Sequence, residues 1–239
     1  MKVIKIKKGK CKIIAHRGLC GLEKENTCSA FVAAAMHNYY GIETDVHVTK
    51  DGKFILCHDD DLKRVAGKNL VIEETDFNKL RKVKLFDMIE KKRRADLVLP
   101  TIEEYFSICK KYDKIAVFEL KNRITKEKIQ EIVTIIKNLG WFKKTVFISF
   151  QRDNLVDLRS IEKTAKMQLL SGEYSEELFE FAVRYNAGLD VHYKLLSEEF
   201  IKKAHDLGVK VNAYVINNKT DAERFIGYGL DFITTNILI

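Results

Sequence analysis

A chain of 239 residues can form one large domain or two small ones, and its composition already excludes a disordered protein. Hydrophobic residues make up 46% and charged residues 32%, as expected of a globular protein that buries a sizeable core. The formal net charge of +8 could steer nucleic acid, an anionic membrane surface or a small anionic substrate towards the protein, or it could serve solubility alone.

The cysteines and the apolar runs indicate where the protein works. The five cysteines are odd in number and show no C-x-x-C or zinc-type spacing, which favours a reducing compartment over a disulfide framework. Residues 1–10 alternate lysine with apolar residues and lack the apolar core of roughly 7–15 residues that a signal peptide needs. No run approaches the roughly 20 apolar residues of a membrane span, so we predict a cytoplasmic protein.

Short apolar runs rich in Val, Ile and Phe recur along the chain, and most precede a helix-start signal. The predicted strands are 12–15, 41–49, 54–58, 115–121, 145–150, 167–170, 188–193, 209–216 and 231–235. Strands that alternate with helices are typical of βα units, and α/β barrels use this chain length. We therefore predict an α/β protein in which residues 1–239 form a single (β/α)₈ TIM-barrel domain.

Side chains that can cap a helix mark where the predicted helices begin. Capping boxes are predicted at Thr101 with Glu104 and at Thr220 with Glu223, and simple caps at Thr125, Asp153, Ser175 and Ser197. Gly140 and Gly208 are predicted to end two helices, because glycine readily adopts the left-handed conformation found there.

Nine strands are one too many for the barrel, and the second connection explains the surplus. Only residues 50–53 separate the second and third strands, whereas a parallel crossover needs about a dozen residues, so these two strands form an antiparallel hairpin. Asp51-Gly52 is a favoured two-residue loop, which makes Lys50 face Lys53. That register would place His58 directly across from Asp45 and on the same face, unless a bulge shifts the pairing.

The longest stretch outside the βα alternation is residues 59–100, which we expect to be an insertion over the barrel mouth. Residues 91–94, Lys-Lys-Arg-Arg, lie within it. Without interleaved aromatic residues, this basic run is better explained as a solvated face than as a nucleic-acid site.

Polar residues at the ends of barrel strands are the candidates for catalysis, because active sites form at that end of the fold. His16, Arg17 and Gly18 follow the first strand, and an arginine there could grip a phosphate with two hydrogen bonds. His192 ends a later strand and could also line the mouth.

Three carboxylates are predicted to meet at this end of the barrel. Glu43 and Asp45 lie two apart on one strand and share a face, where they repel unless a cation separates them. Glu119 and Lys121 repeat the spacing on the next parallel strand, adding a carboxylate and an ammonium. Carboxylates without cysteine suit an oxygen-preferring divalent cation, Mg²⁺ or Ca²⁺.

With these residues in place, the sequence resembles the glycerophosphodiester phosphodiesterase family over nearly its whole length. The motifs that carry the resemblance are Ala15-His16-Arg17-Gly18, Glu25-Asn26-Thr27, Ile42-Glu43-Thr44-Asp45-Val46, Thr49-Lys50-Asp51-Gly52, His58-Asp59 with Leu62, Arg64 and Gly67, Pro100-Thr101-Ile102-Glu103-Glu104, Phe118-Glu119-Leu120-Lys121 and Ser149-Phe150. Each motif is weak alone, but in this order they are specific.

The resemblance implies a barrel whose divalent cation is held at Glu43, Asp45 and Glu119, with acid and base roles for His16 and His58. It also implies a small phosphodiester substrate of glycerol type. Three positions depart from the family pattern. Lys24 replaces a common proline, Tyr214 stands where a tryptophan is usual, and Asn236 replaces an aspartate that proline follows. We expect these departures to affect the alcohol pocket, to which Tyr214 would contribute, rather than the metal and histidine core.

For the chemistry, we expect the cation, Arg17 and Lys121 to bind the phosphate while one histidine acts as base and the other as acid. The sequence leaves open which histidine is which, and whether the neighbouring glycerol hydroxyl or water attacks. Two rivals are a lipid phosphodiesterase of lysophospholipase D or sphingomyelinase D type, which would want an apolar rim, and a non-catalytic phosphoester-binding barrel. The alcohol, the metal and the oligomeric state are not predicted.

Overall fold

The computed structural model describes residues 2–89 and 92–239, which form a closed parallel barrel with one additional strand. The strands are β1 (Lys12–Ala15), β2 (Gly41–Val48), β3 (Phe54–Leu56), β4 (Ile115–Leu120), β5 (Thr145–Ser149), β6 (Lys166–Ser171), β7 (Gly188–His192), β8 (Val211–Tyr214) and β9 (Phe232–Thr235). They pair in the order β1-β9-β8-β7-β6-β5-β4-β2-β3, and β1 also pairs with β2, which closes eight parallel strands. The predicted TIM barrel is confirmed.

Helices lie on the outside of the barrel and in the insertion. They are α1 (Cys28–Ala35), α2 (Lys63–Ala66), α3 (Phe77–Arg81), α4 (Ile102–Lys111), α5 (Lys126–Asn138), α6 (Arg152–Ile161), α7 (Glu176–Arg184), α8 (Glu198–Asp206) and α9 (Lys219–Gly227). No helix of the described residues is long and apolar enough to cross a membrane.

Most of the predicted helix boundaries agree with the structure. Thr101 and Glu104 form the predicted capping box, and Thr125 and Ser197 accept the predicted backbone hydrogen bonds. Ser175 occupies the N-cap position of α7 without a side-chain hydrogen bond. Gly140 and Gly208 both follow helices with φ near +70°.

Two predicted caps are wrong by two residues. The side chain of Asn218, rather than Thr220, caps α9 and accepts from the backbone N–H of Asp221. Gln151 stands at the N-cap of α6, which places Asp153 inside the first turn. There its negative charge interacts favourably with the positive end of the helix dipole. Both segments contain more than one residue suited to a helix start, and the sequence alone did not rank them.

The hairpin register differs from the prediction by one residue. Val46 pairs with Leu56 and Val48 with Phe54, so the loop has three residues rather than two. The hydroxyl of Thr49 donates to Asp51 and receives the backbone N–H of Lys53, while Gly52 adopts φ +73°. These bonds select the three-residue loop ending in a left-handed residue. Asp45 therefore lies opposite Cys57, and the predicted facing of Asp45 and His58 is wrong.

Inside the barrel, side chains from alternate residues of each strand point towards the axis. Ile14, Val117, Ile148 and Leu170 form a buried apolar cluster there. Ile148 and Leu170 line a cavity at the carboxyl-terminal mouth, and Ile14 and Val117 line a second cavity at the opposite end. The cluster thus lies between two cavities.

The insertion has a small hydrophobic core of its own beside β3. Leu62, Ile72, Leu80 and Leu97 are among its fully buried members, and they cluster separately from the residues between barrel and outer helices. Its secondary structure consists of α2, α3 and a short 3₁₀ helix, Ile72–Glu74.

Ion pairs join the insertion to the mouth of the barrel. Arg94 pairs with Glu23 and Asp96, and Lys92 and Arg93 are exposed, in keeping with the solvated face expected of the basic run. Lys91, another member of the run, lies outside the described residues.

Candidate active site

The cavity at the carboxyl-terminal mouth has a volume of about 290 Å³ and is lined by residues from most of the barrel strands. They are His16, Arg17, Glu43, His58, Glu119, Ile148, Phe150, Leu170, Asp190, His192, Tyr214, Val215 and Thr234. Six of the eight residues predicted for the site line this one space. Asp45 and Lys121 lie beside it and contact its walls.

The segment after β1 is fixed by hydrogen bonds to the carboxylates of β2. Arg17 has a left-handed backbone, with φ +51°, and its N–H donates to Glu43 at 2.7 Å. Its Nη1 donates to Glu25 at 2.8 Å, and its Nε lies 3.7 Å from Asp45. Nε is buried with no hydrogen bond among the described residues. Arg17 also lines the cavity, which places its side chain beside the space that an anion would occupy.

Glu43, Asp45 and Glu119 form the predicted acidic cluster. Each can offer a carboxylate oxygen within 4.8 Å of the others, and all three are buried. Asp45 and Glu119 are register partners on neighbouring parallel strands, which is why side chains 74 residues apart in sequence share one layer. The ammonium of Lys121 lies 2.9 Å from Glu119 and 3.7 Å from Asp45.

The electrostatics of this cluster favour a bound cation. Burial, with repulsion from Asp45 and Glu119, raises the pKa of Glu43 well above its usual range. Burial and Asp45 raise the pKa of Glu119 to about 8. Burial also opposes the charge on Asp45, but Arg17 and Lys121 outweigh it and lower the pKa of Asp45 to about 2. Carboxyl groups held this close repel when all are charged.

The residues present fit a divalent cation. Asp45 Oδ1 is buried without a hydrogen-bond partner among the described residues, although buried carboxylate oxygens are normally satisfied. The site offers carboxylate oxygens and no thiolate, a donor set that suits Mg²⁺ or Ca²⁺ better than zinc.

His16 is held by a residue that the sequence did not connect with it. Its Nδ1 lies 2.8 Å from Oδ1 of Asn236, and the thiol of Cys20 donates to the same oxygen at 3.0 Å. Because an amide oxygen can only accept, Nδ1 carries the proton and Nε2 is the unprotonated atom. Burial and the charge of Arg17 lower the pKa of His16 to about 4, which keeps the ring neutral.

His58 has a different partner. Its Nδ1 lies 2.8 Å from Oδ1 of Asp59, and Arg64 binds the same carboxylate through two donors at 2.7 and 2.9 Å. Arg64 also binds Glu25, which ties the insertion to the segment after β1. His58 therefore reaches the cavity because it follows the end of β3, not because it faces Asp45 across the hairpin.

Asp190 is the lining residue that the sequence analysis missed. It is buried in the middle of β7, where Asn212 donates to its Oδ2 at 2.9 Å and Oδ1 has no partner among the described residues. Burial raises its pKa to about 8. The signal was present, because Asp190 and His192 repeat the spacing of Glu43 and Asp45 on a predicted strand.

An aromatic wall completes the cavity. The ring of Tyr214 packs edge-on against Phe150 at 5.9 Å and against His192 at 5.8 Å. Tyr214 thus lies where the sequence analysis placed a substrate contact, and His192 is a lining residue as suggested.

Comparison with known proteins identifies this constellation. The family model described as "Glycerophosphoryl diester phosphodiesterase family" matches residues 16–238. The chain belongs to the glycerophosphoryl diester phosphodiesterase family. It is therefore a phosphodiester hydrolase by family, as the order of its motifs indicated.

Relatives in this family match the chain over almost its full length. A glycerophosphodiester phosphodiesterase of Caldanaerobacter subterraneus subsp. tengcongensis is 28% identical over 227 residues, covering 94% of this chain and 93% of the relative. A solved glycerophosphodiester phosphodiesterase of Parabacteroides distasonis is 28% identical with a TM-score of 0.78, covering 99% and 94%. An Oleispira antarctica phosphodiesterase, solved in complex with the product sn-glycerol-3-phosphate, shares the fold at a TM-score of 0.88, with 23% identity and coverage of 95% and 93%.

The three departures from the glycerophosphoryl diester phosphodiesterase pattern differ in their distance from the candidate active site. Lys24 is not among the cavity-lining residues, and its carbonyl accepts from Thr27. Tyr214 lines the cavity. Asn236, expected to affect only the alcohol pocket, instead contacts His16, so this departure reaches the candidate catalytic core.

Proposed function

We propose that the protein hydrolyses glycerophosphodiesters to glycerol 3-phosphate and an alcohol, and that it needs a divalent cation to do so. The observation that carries the proposal is that three buried carboxylates and two histidines with different partners meet at one cavity. A phosphodiester resists attack because its phosphate is anionic, and its hydrolysis moves two protons. The cavity contains groups suited to each task.

Glu43, Asp45 and Glu119 would hold the cation. When bound, a divalent cation acts as a Lewis acid that offsets the negative charge of the phosphate. Arg17 contributes a guanidinium at the same cavity, and Lys121 places an ammonium beside Glu119, so both favour an anionic substrate. Mg²⁺ and Ca²⁺ both suit these ligands.

The partners of the two histidines support an assignment that the sequence left open. His16 is neutral with a free Nε2, so it is the group suited to take a proton from the nucleophile. His58 has the carboxylate of Asp59 as the partner of its Nδ1, at 2.8 Å, which orients the ring, so we give His58 the complementary role of passing a proton to the departing oxygen. We assign His16 as base and His58 as acid in the first step.

The nucleophile is either water or the glycerol hydroxyl next to the phosphate. In the second route the hydroxyl oxygen bonds to phosphorus as the bond to the alcohol breaks, with His16 taking the hydroxyl proton and His58 protonating the alcohol. Water then opens the cyclic phosphate as the histidines exchange roles. Turnover of a substrate without that hydroxyl would exclude this route as obligatory.

Asp190 adds a contact for the substrate. Its Oδ1 has no hydrogen-bond partner among the described residues, and its raised pKa keeps the carboxyl protonated near neutral pH. We therefore assign it a hydrogen bond to a hydroxyl of the substrate, while Phe150, His192 and Tyr214 contact its apolar parts.

One assay tests the proposal. Release of glycerol 3-phosphate is measured from a panel of glycerophosphodiesters and a lysophospholipid, with chelator and with added Mg²⁺ or Ca²⁺. We expect turnover of the small diesters, loss in chelator and recovery with metal. Full activity in chelator contradicts the metal requirement, and turnover of the lysophospholipid alone supports the lipid phosphodiesterase instead. The cytoplasm remains our proposed compartment.

A further inference from the structure

The barrel contains a second cavity at its amino-terminal end, away from the active site. Its volume is about 440 Å³, larger than the mouth cavity, and it is lined by the first residues of β1, β6, β7 and β9. The apolar cluster of Ile14, Val117, Ile148 and Leu170 lies between the two cavities. A ligand held here would not compete with substrate for space.

Among the described residues, five cationic side chains line this second cavity, and no aspartate or glutamate does so. They are Lys12, Arg159, Lys163, Lys166 and Lys210. None of the five makes an ion pair with a carboxylate in the described parts of the chain. Arg159 donates to the carbonyls of Lys163, Tyr185 and Asn186, and Lys166 donates to that of Lys143. Clustered like charges raise the local concentration of anions.

Part of the cavity wall is apolar. Tyr40, Ile115, Val146 and Phe232 line it and remain partly exposed, although each packs against the cluster inside the barrel. The ammonium of Lys12 lies 4.4 Å from the ring centre of Tyr40, which places a cation next to this apolar surface. The cavity therefore offers apolar contacts and positive charge side by side, as small-molecule sites generally do.

A buried amide provides an independent sign of a ligand. Gln168 is 7% exposed and lines the cavity, yet its Nε2 makes no hydrogen bond to any described residue. Its Oε1 receives only a long contact of 3.5 Å from Asn212. Because this nitrogen belongs to a side chain that lines the cavity, it is placed to donate to an acceptor held there.

We propose that this amino-terminal cavity binds a small anion with an apolar body, whose phosphate or carboxylate group meets the cations and Gln168. The aliphatic or aromatic body packs on Tyr40, Ile115, Val146 and Phe232. Because the site shares no lining residue with the mouth cavity, the inference is independent of the proposed function.

The test uses hexyl phosphate and hexanoate as probes of the two head groups, measured by isothermal titration calorimetry on the full chain. Inorganic phosphate is the control for binding of the charged group alone, and 1-hexanol is the control for binding of the apolar body alone. We expect at least one hexyl probe to bind roughly tenfold more tightly than either part, since charge and apolar contacts act together. No binding of either hexyl probe at millimolar concentration, or equal binding of inorganic phosphate, would overturn the proposal.

Matched variants locate the bound probe. Lys163 and Lys210 are exposed, so the double variant Lys163→Gln/Lys210→Gln is expected to fold normally and to bind the probe roughly tenfold more weakly. The control Lys68→Gln/Lys82→Gln removes the same charge from the insertion and should bind like wild type. A third variant, Lys121→Gln, should also retain binding. Loss in Lys121→Gln with retention in the first variant would place the probe at the active site and refute the inference.

Discussion

Asn236 Oδ1 accepts a hydrogen bond from Nδ1 of His16 at 2.8 Å, and this contact joins the end of β9 to the residue after β1. Replacing Asn236 with aspartate would put a negative charge beside the ring and raise the pKa of His16 from its lowered value of about 4. A base must be unprotonated to act, so the acidic limb of the kcat/KM profile should move to higher pH in Asn236→Asp.

A pH–rate profile of wild type, Asn236→Asp and Asn236→Ala measures this shift. The alanine variant removes the partner without adding charge, so it should lower kcat and leave the limb at or below the wild-type pH. An unchanged limb in Asn236→Asp would show that His16 is not the base.

Loss of either histidine should reduce turnover severely. General acid and base groups each contribute roughly 10²–10⁴-fold, so we expect His16→Ala and His58→Ala to lose at least about 10²-fold in kcat. A substrate with a good leaving group, such as a nitrophenyl ester, needs less protonation and should rescue His58→Ala more than His16→Ala. Equal rescue of the two variants would contradict the assignment of base and acid.

The three carboxylates should respond differently to removal in metal-free protein. Burial and the charges of Asp45 and Glu119 raise the pKa of Glu43, which shows that a negative charge there is unfavourable. Glu43→Gln removes that charge, so the Tm of the metal-free protein should hold or rise. Asp45→Asn removes a charge that Arg17 and Lys121 stabilise, so the Tm should fall.

Thermal unfolding with chelator and with Mg²⁺ or Ca²⁺ separates these effects from metal binding. A free metal concentration of 100 times the Kd stabilises the folded protein by about 2.7 kcal/mol. Both variants should lose most of this stabilisation. An undiminished metal-induced rise in Tm in both variants would move the ion away from these carboxylates.

Asp190 should make stability depend on pH. Burial raises its pKa from the ordinary value of 3.8 to about 8 in the folded protein, so its contribution to stability is present below about pH 4 and is lost as pH rises through 8. The free energy of unfolding of Asp190→Asn relative to wild type should therefore increase from pH 5 to pH 8. Urea unfolding at both values measures it, and a constant difference would mean that Asp190 is ionised throughout.

The three-residue hairpin loop depends on Gly52. Gly52 has a left-handed backbone with φ +73°, which destabilises any residue that carries a Cβ by about 1–2 kcal/mol. In Gly52→Ala the added Cβ would also lie 3.1 Å from Nζ of Lys128. Gly208 has nearly the same φ with no atom within 4 Å, so Gly208→Ala is the matched control. Urea denaturation should show Gly52→Ala at least as destabilised as Gly208→Ala. A smaller loss would mean that the loop has another geometry.

The acidic cluster was predictable because it follows from simple periodicity. Residues two apart on a strand share a face, and Asp45 and Glu119 are register partners on neighbouring parallel strands. His58 was placed at the right cavity for the wrong reason. The hydrogen bonds of Thr49 decide the loop length, and the pair Asp51-Gly52 suits both a two-residue and a three-residue loop.

The remaining site residues depend on contacts between distant parts of the chain. Asn236 reaches His16 only because the last strand closes the barrel against the first, and no local pattern encodes that approach. Asp190 was overlooked because the sequence does not show which residues of its strand point into the barrel. Only an aspartate known to point inwards is a candidate for the site. Local chemistry similarly left Asn218 and Thr220 as equivalent candidates for the cap of α9.

Closure of the barrel by β1 and β9 makes assembly of the site depend on the synthesis of β9. Residues 12–15 pair with residues 232–235, so a growing chain on the ribosome carries its three carboxylates and both histidines long before the first strand gains its final neighbour. Until β9 emerges, β1 lacks one of its two neighbours and His16 lacks Asn236. We therefore expect the nascent protein to become active only after β9 has emerged and paired with β1.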